Sequence, residues 1–442
     1  MTQRRSPPPD KADKLVTAGF ERHRAGDIAA ASEFYARALR MRPNHADALH
    51  LSGLTERAMG RHAEAHARIE RACRLSPGHA PFEANRAATL ITLGRPAEAL
   101  VAADMAVALD ARFAPAHANR AAALAGLGRE ADAIATYRHA LAIDPASLEA
   151  LNNLANLEQR HGNLDDACAY YERALALAPG HAHIHSNYGT AIYALYVAGR
   201  GELAARKASE WLARHPESPT ARHWAAALAG TQAPPRAEDG YVRGAFDLFA
   251  ATFDSTLASV GYSAPDGIKA MLAQQWGEPT RRFDILDAGC GTGLAGLVLR
   301  AWAKRLEGVD LSGGMLERAH ARDIYDELRE GELVADLAAH AQAYDLIVAA
   351  DVFCYFGVLD EALGAAREAL RPDGHLVFST ETLLPDESGD WKVRPSGRYA
   401  HARDYVEAAV ARAGFTPVLW RVESPRAEDG KPIPGLIVMA RR

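Results

Sequence analysis

Through the first half of the chain, small and apolar positions return every 34 residues. Pro43, Pro77, Pro145 and Pro179 lie on that grid, and Ala111 fills the remaining slot. Seventeen residues before each grid point stands a glycine: Gly26, Gly60, Gly94, Gly128, Gly162. Twelve before stands an alanine (Ala31, Ala65, Ala99, Ala133, Ala167), and five before another (Ala38, Ala72, Ala106, Ala140, Ala174). Tyr35, Tyr137 and Tyr171 fall eight before. The pattern predicts helix pairs. The glycine ends the first helix, where a left-handed residue costs least without a Cβ. The alanines let two helices approach closely. The proline stops the second helix, because the residue before it is pushed out of the helical region. One such pair cannot bury its apolar face, so pairs must stack.

From Tyr241 the period changes. Short β-like runs alternate with helical stretches, which predicts a doubly wound α/β sheet. RFDILDA is read as the first strand and GLAGLVLRAWAK as the helix after it. RLEGVD is the second strand, followed by a helix from about Gly314 to Arg322, and DELREGE is a weak third strand. YDLIVAAD, with its helix VLDEALGAAREAL, and GHLVFST come next. Helix ARDYVEAAVARAG leads to PVLWRVE and GLIVMARR, whose connecting loop has no helical pattern, so an antiparallel hairpin is expected.

The repeats resemble the tetratricopeptide family, with five regular copies over 12–181. Gly189, Gly199, Ala204 and Pro216 continue the pattern with three extra residues between the glycines, so a sixth repeat with a lengthened first helix, then a capping helix, is expected over 182–230. The expected organisation is therefore a disordered N-terminus (1–11), an all-α solenoid (12–230), a linker (231–240, TQAPPRAEDG) and an α/β domain (241–442). Asn85, Asn119, Asn153 and Asn187 share one repeat position that faces the inner groove of stacked repeats. Their amides can donate and accept, so a protein or peptide partner in the groove is expected there.

Composition narrows the classes. The N-terminus carries no apolar core segment, and no apolar run is long enough to span a bilayer. Cys73, Cys168, Cys290 and Cys354 are scattered, which suggests neither disulfides nor zinc and points to a reducing cytoplasm. The alternate histidines of HAHIH (His181, His183, His185) do not share a helix face, so no metal is expected. Residues 231–442 carry 23 Lys/Arg against 32 Asp/Glu, a balance that weighs against nucleic acid.

The stretch DAGCGTGLAG, Asp287 to Gly296, carries two overlapping loops, GxGxxG and GxGxG. Asp287 separates their ligands. A carboxylate about 4 Å from a phosphate costs about 4 kcal/mol at an effective dielectric near 20, and gains a similar amount beside an ammonium. Asp310, at the end of the second strand, can accept both hydroxyls of a ribose. A nucleoside with a cationic amino group and no phosphate fits both.

S-adenosylmethionine has those parts, and residues 241–442 resemble the class I methyltransferases. ILDAGCGTG looks like their glycine loop, LEGVDLSGGML like the ribose strand, and ALRPDGHLVFS like the strand closing the central sheet. The resemblance implies that Gly289, Gly291 and Gly293 admit the cofactor and that Asp287 receives its amino group, directly or through water. It implies Asp310 for the ribose, Leu311 against adenine, and Glu332 for the adenine amino group, with Asp336 as rival. Phe246, Phe249 and Phe253 form an apolar face on a helical segment that would cover the cofactor. Asp351, Tyr355, Glu381 and His401 are the candidates near the mouth, with His401 as general base. Asp351-Val352-Phe353-Cys354 lacks the (D/N)PP(F/Y) motif of enzymes that methylate amino groups of bases. The resulting expectation is a methyltransferase whose solenoid recruits a protein substrate. A small-molecule methyltransferase docked by its solenoid, and a cofactor-sensing scaffold without chemistry, stay open beside it.

Overall fold

The computed structural model describes residues 10–428 and 431–442. The chain divides into two compact units, one ending at Pro179 and one running from Gly180 to Arg442. Each is taken by itself.

The first unit is a run of helix hairpins: α1 (Lys11–Arg24) with α2 (Ile28–Met41), α3 (Ala46–Ala58) with α4 (His62–Leu75), and α5 (Ala80–Thr92) with α6 (Pro96–Leu109). Then come α7 (Ala114–Gly126) with α8 (Glu130–Ile143), and α9 (Leu148–Arg160) with α10 (Leu164–Leu177). Gly26 and Gly60 carry φ of +79° and +76° between the paired helices, the left-handed turn that a side chain resists. The grid alanines Ala31, Ala38, Ala65 and Ala72 are fully buried, as are Tyr35 and Tyr171. Removing area from water on this scale, at about 25 cal/mol per Å2, is what stacking supplies and a lone hairpin lacks. The disordered segment expected over 1–11 lies outside the described residues up to position 9. Its last two residues are ordered: the Asp10 carboxylate accepts from the Asp13 N–H and caps α1.

The second unit begins with α11 (Ala182–Val197), α12 (Gly201–Arg214) and α13 (Pro219–Ala229). At 16 residues, α11 is longer than the 13- and 14-residue first helices of the preceding repeats, as the wider glycine spacing predicts. Residues 230–238 carry neither helix nor named strand, yet the compact units divide at Pro179, not at this segment. The reason is packing: Trp224 of α13 fills the space left by Gly189 of α11, where a Cβ would sit 2.2 Å from the indole nitrogen, and α13 also contacts the helix that follows the connector.

That helix is α14 (Asp239–Phe249), followed by α15 (Phe253–Ser259) and α16 (Ala264–Trp276). Then come β1 (Phe283–Ala288), α17 (Leu294–Leu299), β2 (Ala303–Asp310), α18 (Gly313–Ala321), β3 (Glu327–Glu330), α19 (Leu333–Ala339) and β4 (Tyr344–Ala349). They are followed by α20 (Asp360–Ala369), β5 (Leu370–Thr382), β6 (Trp391–Val393), β7 (Tyr399–His401), α21 (Arg403–Arg412) and β8 (Thr416–Val422). A two-residue ladder, β9 (Ala427–Glu428) with β10 (Lys431–Pro432), precedes β11 (Gly435–Arg441). The main sheet runs β3-β2-β1-β4-β5-β11-β8, with β7 beside the end of β5 and β6 beside β7. β1 to β5 are parallel, and β11 is antiparallel to both β5 and β8, which is the expected closing hairpin.

Both faces of the sheet are buried. Leu286, Ile347 and Phe378 point into the core beneath α20 and α21, while their neighbours Ile285, Leu346 and Val377 join the core of α16 and α17. The period of two explains why these strands read as continuous apolar runs. One local expectation is corrected, and some elements were not anticipated. The helix over GLAGLVLRAWAK stops at Leu299, because Ala303 and Lys304 join β2 and pair it with β1. The arm β6–β7 was not anticipated, and neither was α16. Among the described residues, no helix is long and apolar enough to cross a membrane.

Candidate functional site

The loop between β1 and α17 is held from behind by β2. The N–H groups of Gly289 and Cys290 both donate to the Val309 carbonyl, at 2.8 and 3.0 Å, and the Gly291 N–H donates to Asp310 Oδ2 at 2.8 Å. All three loop glycines have positive φ: +70° at Gly289, +54° at Gly291 and +91° at Gly293. Their surroundings differ. A Cβ on Gly289 would meet Val352 Cγ2 at 2.5 Å, and one on Gly293 would press on Arg322 and Tyr325 at 3.1 Å. One on Gly291 would find only Phe253, at 4.0 Å. Gly291 thus turns bare backbone to open space.

That space is a cavity of about 1050 Å3, counted to its open mouth. Gly289 to Ala295, except Gly293, and Val309 to Leu311 form its floor, and Gly331, Glu332 and Leu333 one side. Phe246, Phe253, Leu257 and Tyr262 lie over it. The covering segment is tied to the loop: Asp254 accepts from Thr292 Oγ1 and pairs with Arg322, and Asp247 accepts from Ser312 Oγ. Of the three expected phenylalanines, Phe249 is not on the wall and is 41% exposed.

Asp310 is half-buried at the end of β2, and its Oδ1 accepts from the Ser312 N–H at 2.9 Å. Burial pushes its carboxyl above the usual range, and the Ser312 and Gly291 N–H groups pull it back. Leu311 and Glu332 also line the cavity. Glu332 caps α19 by accepting from the N–H groups of Val334 and Ala335, at 3.1 and 2.8 Å, and pairs with Arg236 at 3.0 Å. The rival Asp336 is bound by Arg329 at 2.8 and 3.1 Å and is not on the wall.

Asp287 is placed differently from the expectation. It is 1% exposed and absent from the cavity wall. Its Oδ2 accepts from the Tyr325 hydroxyl at 2.6 Å, while Oδ1 is buried without a protein partner. Burial lifts the carboxyl to about 7 against the pull of the Tyr325 hydrogen bond. Direct receipt of an amino group is corrected by this geometry: the carboxylate braces the loop from beneath.

At the far wall the sequence reading met half the site. Asp351 follows β4 with φ +59°, a conformation that non-glycine residues adopt at a cost of roughly 1–3 kcal/mol, usually where surrounding groups over-determine it. Its carboxylate accepts twice from Arg426 Nη1, at 3.0 and 3.1 Å, and Arg398 Nη2 lies 4.0 Å away. Arg398 Nε also approaches the Tyr355 hydroxyl at 3.4 Å. Asp351, Tyr355 and Arg398 line the cavity. Glu381 does not: it is 1% exposed at the end of β5, where Arg426 and Arg394 hold it. Burial raises its carboxyl to about 7, with Arg398 opposing.

His401 is corrected. Fully buried, it is bonded to Thr380 Oγ1 at 2.6 Å and to the Phe356 carbonyl at 2.8 Å, and it stacks on Tyr405. Burial pushes its pKa down to about 4. A general base must reach its proton, and this ring joins β7 to the wall instead. The arginines were missed. No local motif marks Arg236, Arg394, Arg398 or Arg426; only folding brings them to one place.

The asparagine ladder is partly internal: Asn119 is buried, and Asn85, Asn153 and Asn187 are half-buried. Asn119 is 7% exposed and donates to the Ala84 carbonyl at 2.8 Å, in the preceding repeat. Asn85 contacts His50 Nε2 at 3.0 Å and donates to the Pro81 carbonyl at 2.9 Å. Asn153 accepts from Asn152 at 3.4 Å, and Asn187 is half-buried in the second unit. The amides of Asn85 and Asn119 stitch successive repeats, which corrects their reading as free groove donors.

Comparison with known proteins agrees with the two architectures. A family model described as a methyltransferase domain matches residues 257–419, and tetratricopeptide repeat models match 114–147 and 148–181. A malonyl-[acyl-carrier protein] O-methyltransferase of Geobacter sulfurreducens is 33% identical over 194 residues, 40% of this chain and 70% of that protein. One from Acetivibrio thermocellus is 38% identical over 103 residues, 22% of this chain and 36% of that protein. The chain thus spans from about a third to about 70% of these relatives' own length. Among solved structures, a tetratricopeptide protein of Thermus thermophilus aligns at 25% identity with a TM-score of 0.38, covering 41% of this chain and 98% of that one. An S-adenosylmethionine-dependent methyltransferase of Mesorhizobium loti aligns at 24% identity with a TM-score of 0.33, covering 40% of this chain and all of that one. The chain belongs to the S-adenosylmethionine-dependent methyltransferases, and carries tetratricopeptide repeats ahead of that domain.

Proposed function

We propose that the enzyme methylates a carboxylate, and that its solenoid holds the protein which carries or presents that acid. The observation that supports the acceptor class is Arg398. It is a cation on the cavity wall, and its Nε donates to the Tyr355 hydroxyl at 3.4 Å. Asp351 is shared between Arg398 Nη2, at 4.0 Å, and Arg426 Nη1, at 3.0 and 3.1 Å. A guanidinium carries five N–H donors in a fixed fork, so Arg398 can keep these partners and still meet an incoming anion beside Tyr355.

The residues present fit the cofactor. Gly291 leaves its backbone open, Asp310 can bind two hydroxyls, Leu311 offers an apolar face, and Glu332 retains lone pairs for an amino group. The buried Oδ1 of Asp287 can reach an ammonium only through water. S-adenosylmethionine supplies a methyl group on a sulfonium, which passes to a carboxylate oxygen as the carbon–sulfur bond breaks, leaving a neutral thioether. No proton moves, so the burial of His401 is no obstacle. The chain's task is alignment and water exclusion, by Arg398 on one side and Phe246 and Phe253 above. The relatives' names attach this activity to a malonyl group on a carrier protein, the same acceptor chemistry presented by a protein.

The test is methyl-labelled S-adenosylmethionine with a malonyl thioester, offered on acyl-carrier protein and as the free small thioester. Wild type should form a base-labile label that releases methanol. Arg398→Met should lose tenfold to a hundredfold in kcat/KM, about 1.5–3 kcal/mol for hydrogen bonds to a charge, with an unchanged cofactor Kd. A base-stable label on nitrogen would reject the carboxylate. Equal use of both thioesters would reject presentation by a carrier.

A further inference from the structure

Arg398 sits on the turn between β6 and β7, and that turn is short. The Arg394 N–H donates to the Arg398 carbonyl and the Gly397 N–H to the Arg394 carbonyl, each at 2.8 Å. What fixes the turn comes from the other end of the unit. His223, on the capping helix α13, is 1% exposed. Its Nε2 meets the Gly397 carbonyl at 2.7 Å, and because that partner can only accept, Nε2 carries the proton. The ring stacks on Tyr241 of α14 at 3.8 Å between centroids and meets the edge of Tyr399 at 6.1 Å. Gly397 has φ +80°, and a Cβ there would strike the Tyr241 hydroxyl at 2.8 Å. On the other side of Arg398, the Tyr399 hydroxyl donates to the Pro234 carbonyl at 2.9 Å. The residues on both sides of the cation are therefore anchored to α13 and to the connector that leaves it.

The connector also builds wall. The N–H groups of Gly357 and Val358 both donate to the Pro235 carbonyl at 2.8 Å, and the Ala237 N–H donates to the Tyr355 carbonyl at 2.8 Å. Arg236, Ala237 and Asp239 line the cavity.

We propose that the cap of the irregular repeat is part of the catalytic site, with His223 as a positioning residue that sets Arg398 through the Gly397 carbonyl. The proposal rests on the reading of Arg398 as the acceptor's anchor. It implies that the repeat helices do more than recruit: the acceptor subsite is incomplete without α13 and the connector.

The test uses the full chain and three variants. His223→Phe keeps the ring stack and deletes the donor. His223→Gln restores an amide donor. Tyr399→Phe removes only the second anchor, and serves if His223→Phe does not fold. Kinetics are read with the malonyl thioester on acyl-carrier protein. Cofactor Kd comes from calorimetry, and acceptor Kd from calorimetry with S-adenosylhomocysteine present. His223→Phe should raise acceptor KM and Kd at least tenfold, with kcat at saturation within twofold and cofactor Kd unchanged. His223→Gln should recover most of the loss, and Tyr399→Phe should shift KM the same way by less. A lower melting temperature with unchanged KM would overturn the proposal, leaving His223 a packing residue. Arg398→Met, run alongside, separates the two readings. If it too leaves KM unchanged, the carboxylate anchor has failed; if it alone raises KM, only the positioning role has.

Discussion

Alanine placed at Gly291 should damage cofactor binding far more than folding, and the reason lies in what surrounds each loop glycine. At φ +54°, a Cβ costs about 1–2 kcal/mol. For a unit of this size that lowers the melting temperature by roughly 2–8 °C. Nothing else opposes the change, because the new methyl meets only Phe253, at 4.0 Å. It does, however, stand in the cavity where the backbone must approach the ligand, so S-adenosylmethionine affinity should fall at least tenfold, about 1.4 kcal/mol or more. Gly289→Ala is the contrast. Its Cβ would sit 2.5 Å from Val352 Cγ2, adding roughly 1–3 kcal/mol of overpacking to the backbone strain. Gly364→Ala on α20 is the control, since its Cβ would meet nothing and helix propensity predicts a gain of about 0.5–1 kcal/mol. Calorimetric titration with cofactor and thermal unfolding of each variant provide the numbers. A wild-type Kd for Gly291→Ala would refute the placement of the cofactor over this backbone, as would equal stability losses at Gly289 and Gly291.

Two further outcomes concern the buried titratable groups. The Asp287 carboxyl is held near 7 in the fold, above its unfolded value of 3.8, so its contribution is full at low pH and is lost as pH rises toward 7. Asp287→Asn should remove that slope: measured by denaturant unfolding, its stability relative to wild type should improve by about 2 kcal/mol between pH 5 and 7 and then level off; a parallel pair of curves would show that the group is ionised throughout. His401→Gln should cost about 1–3 kcal/mol through its lost buried hydrogen bonds, yet preserve the shape of the kcat profile between pH 6 and 9; loss of a pH-dependent limb in a folded variant would restore the ring as a base.

The parts of the molecule that were legible in its sequence are those whose physics closes within a few residues. The helix-ending glycines and the buried alanines carry their own instructions, and they recur. The glycine loop is similar: Asp310, the three glycines and the strand ends lie within one strand–turn–helix–strand passage, and they were found together. Misreadings arose where a partner lies far along the chain. Asp287 looked like a ligand because its sequence neighbours suit one, but Tyr325, 38 residues on, takes one of its oxygens and closes it off. Asn119 looked like a groove amide until Ala84 of the preceding repeat claimed it. His401 was chosen for its intrinsic pKa, and burial overrides that property.

The same reasoning explains why the arginines could not be read. Arg426 reaches Asp351 across 75 residues, and His223 reaches Gly397 across 174. A buried ion pair is a weak contributor to net stability, because desolvation offsets most of the attraction, so a cluster of four arginines and several carboxylates is a costly way to hold a sheet together. It is a reasonable way to place one cation. Arg426 occupies Asp351, Arg394 and Arg426 occupy Glu381, and Arg236 occupies Glu332. Each pairing offsets negative charge that would otherwise repel an incoming acid, and Arg398 shares Asp351 with Arg426. Under the proposed carboxylate chemistry, acceptor binding draws on Arg394 and Arg426, which stand off the cavity wall, and truncating either should raise acceptor Kd in calorimetric titration by releasing Glu381 or Asp351 toward the cavity.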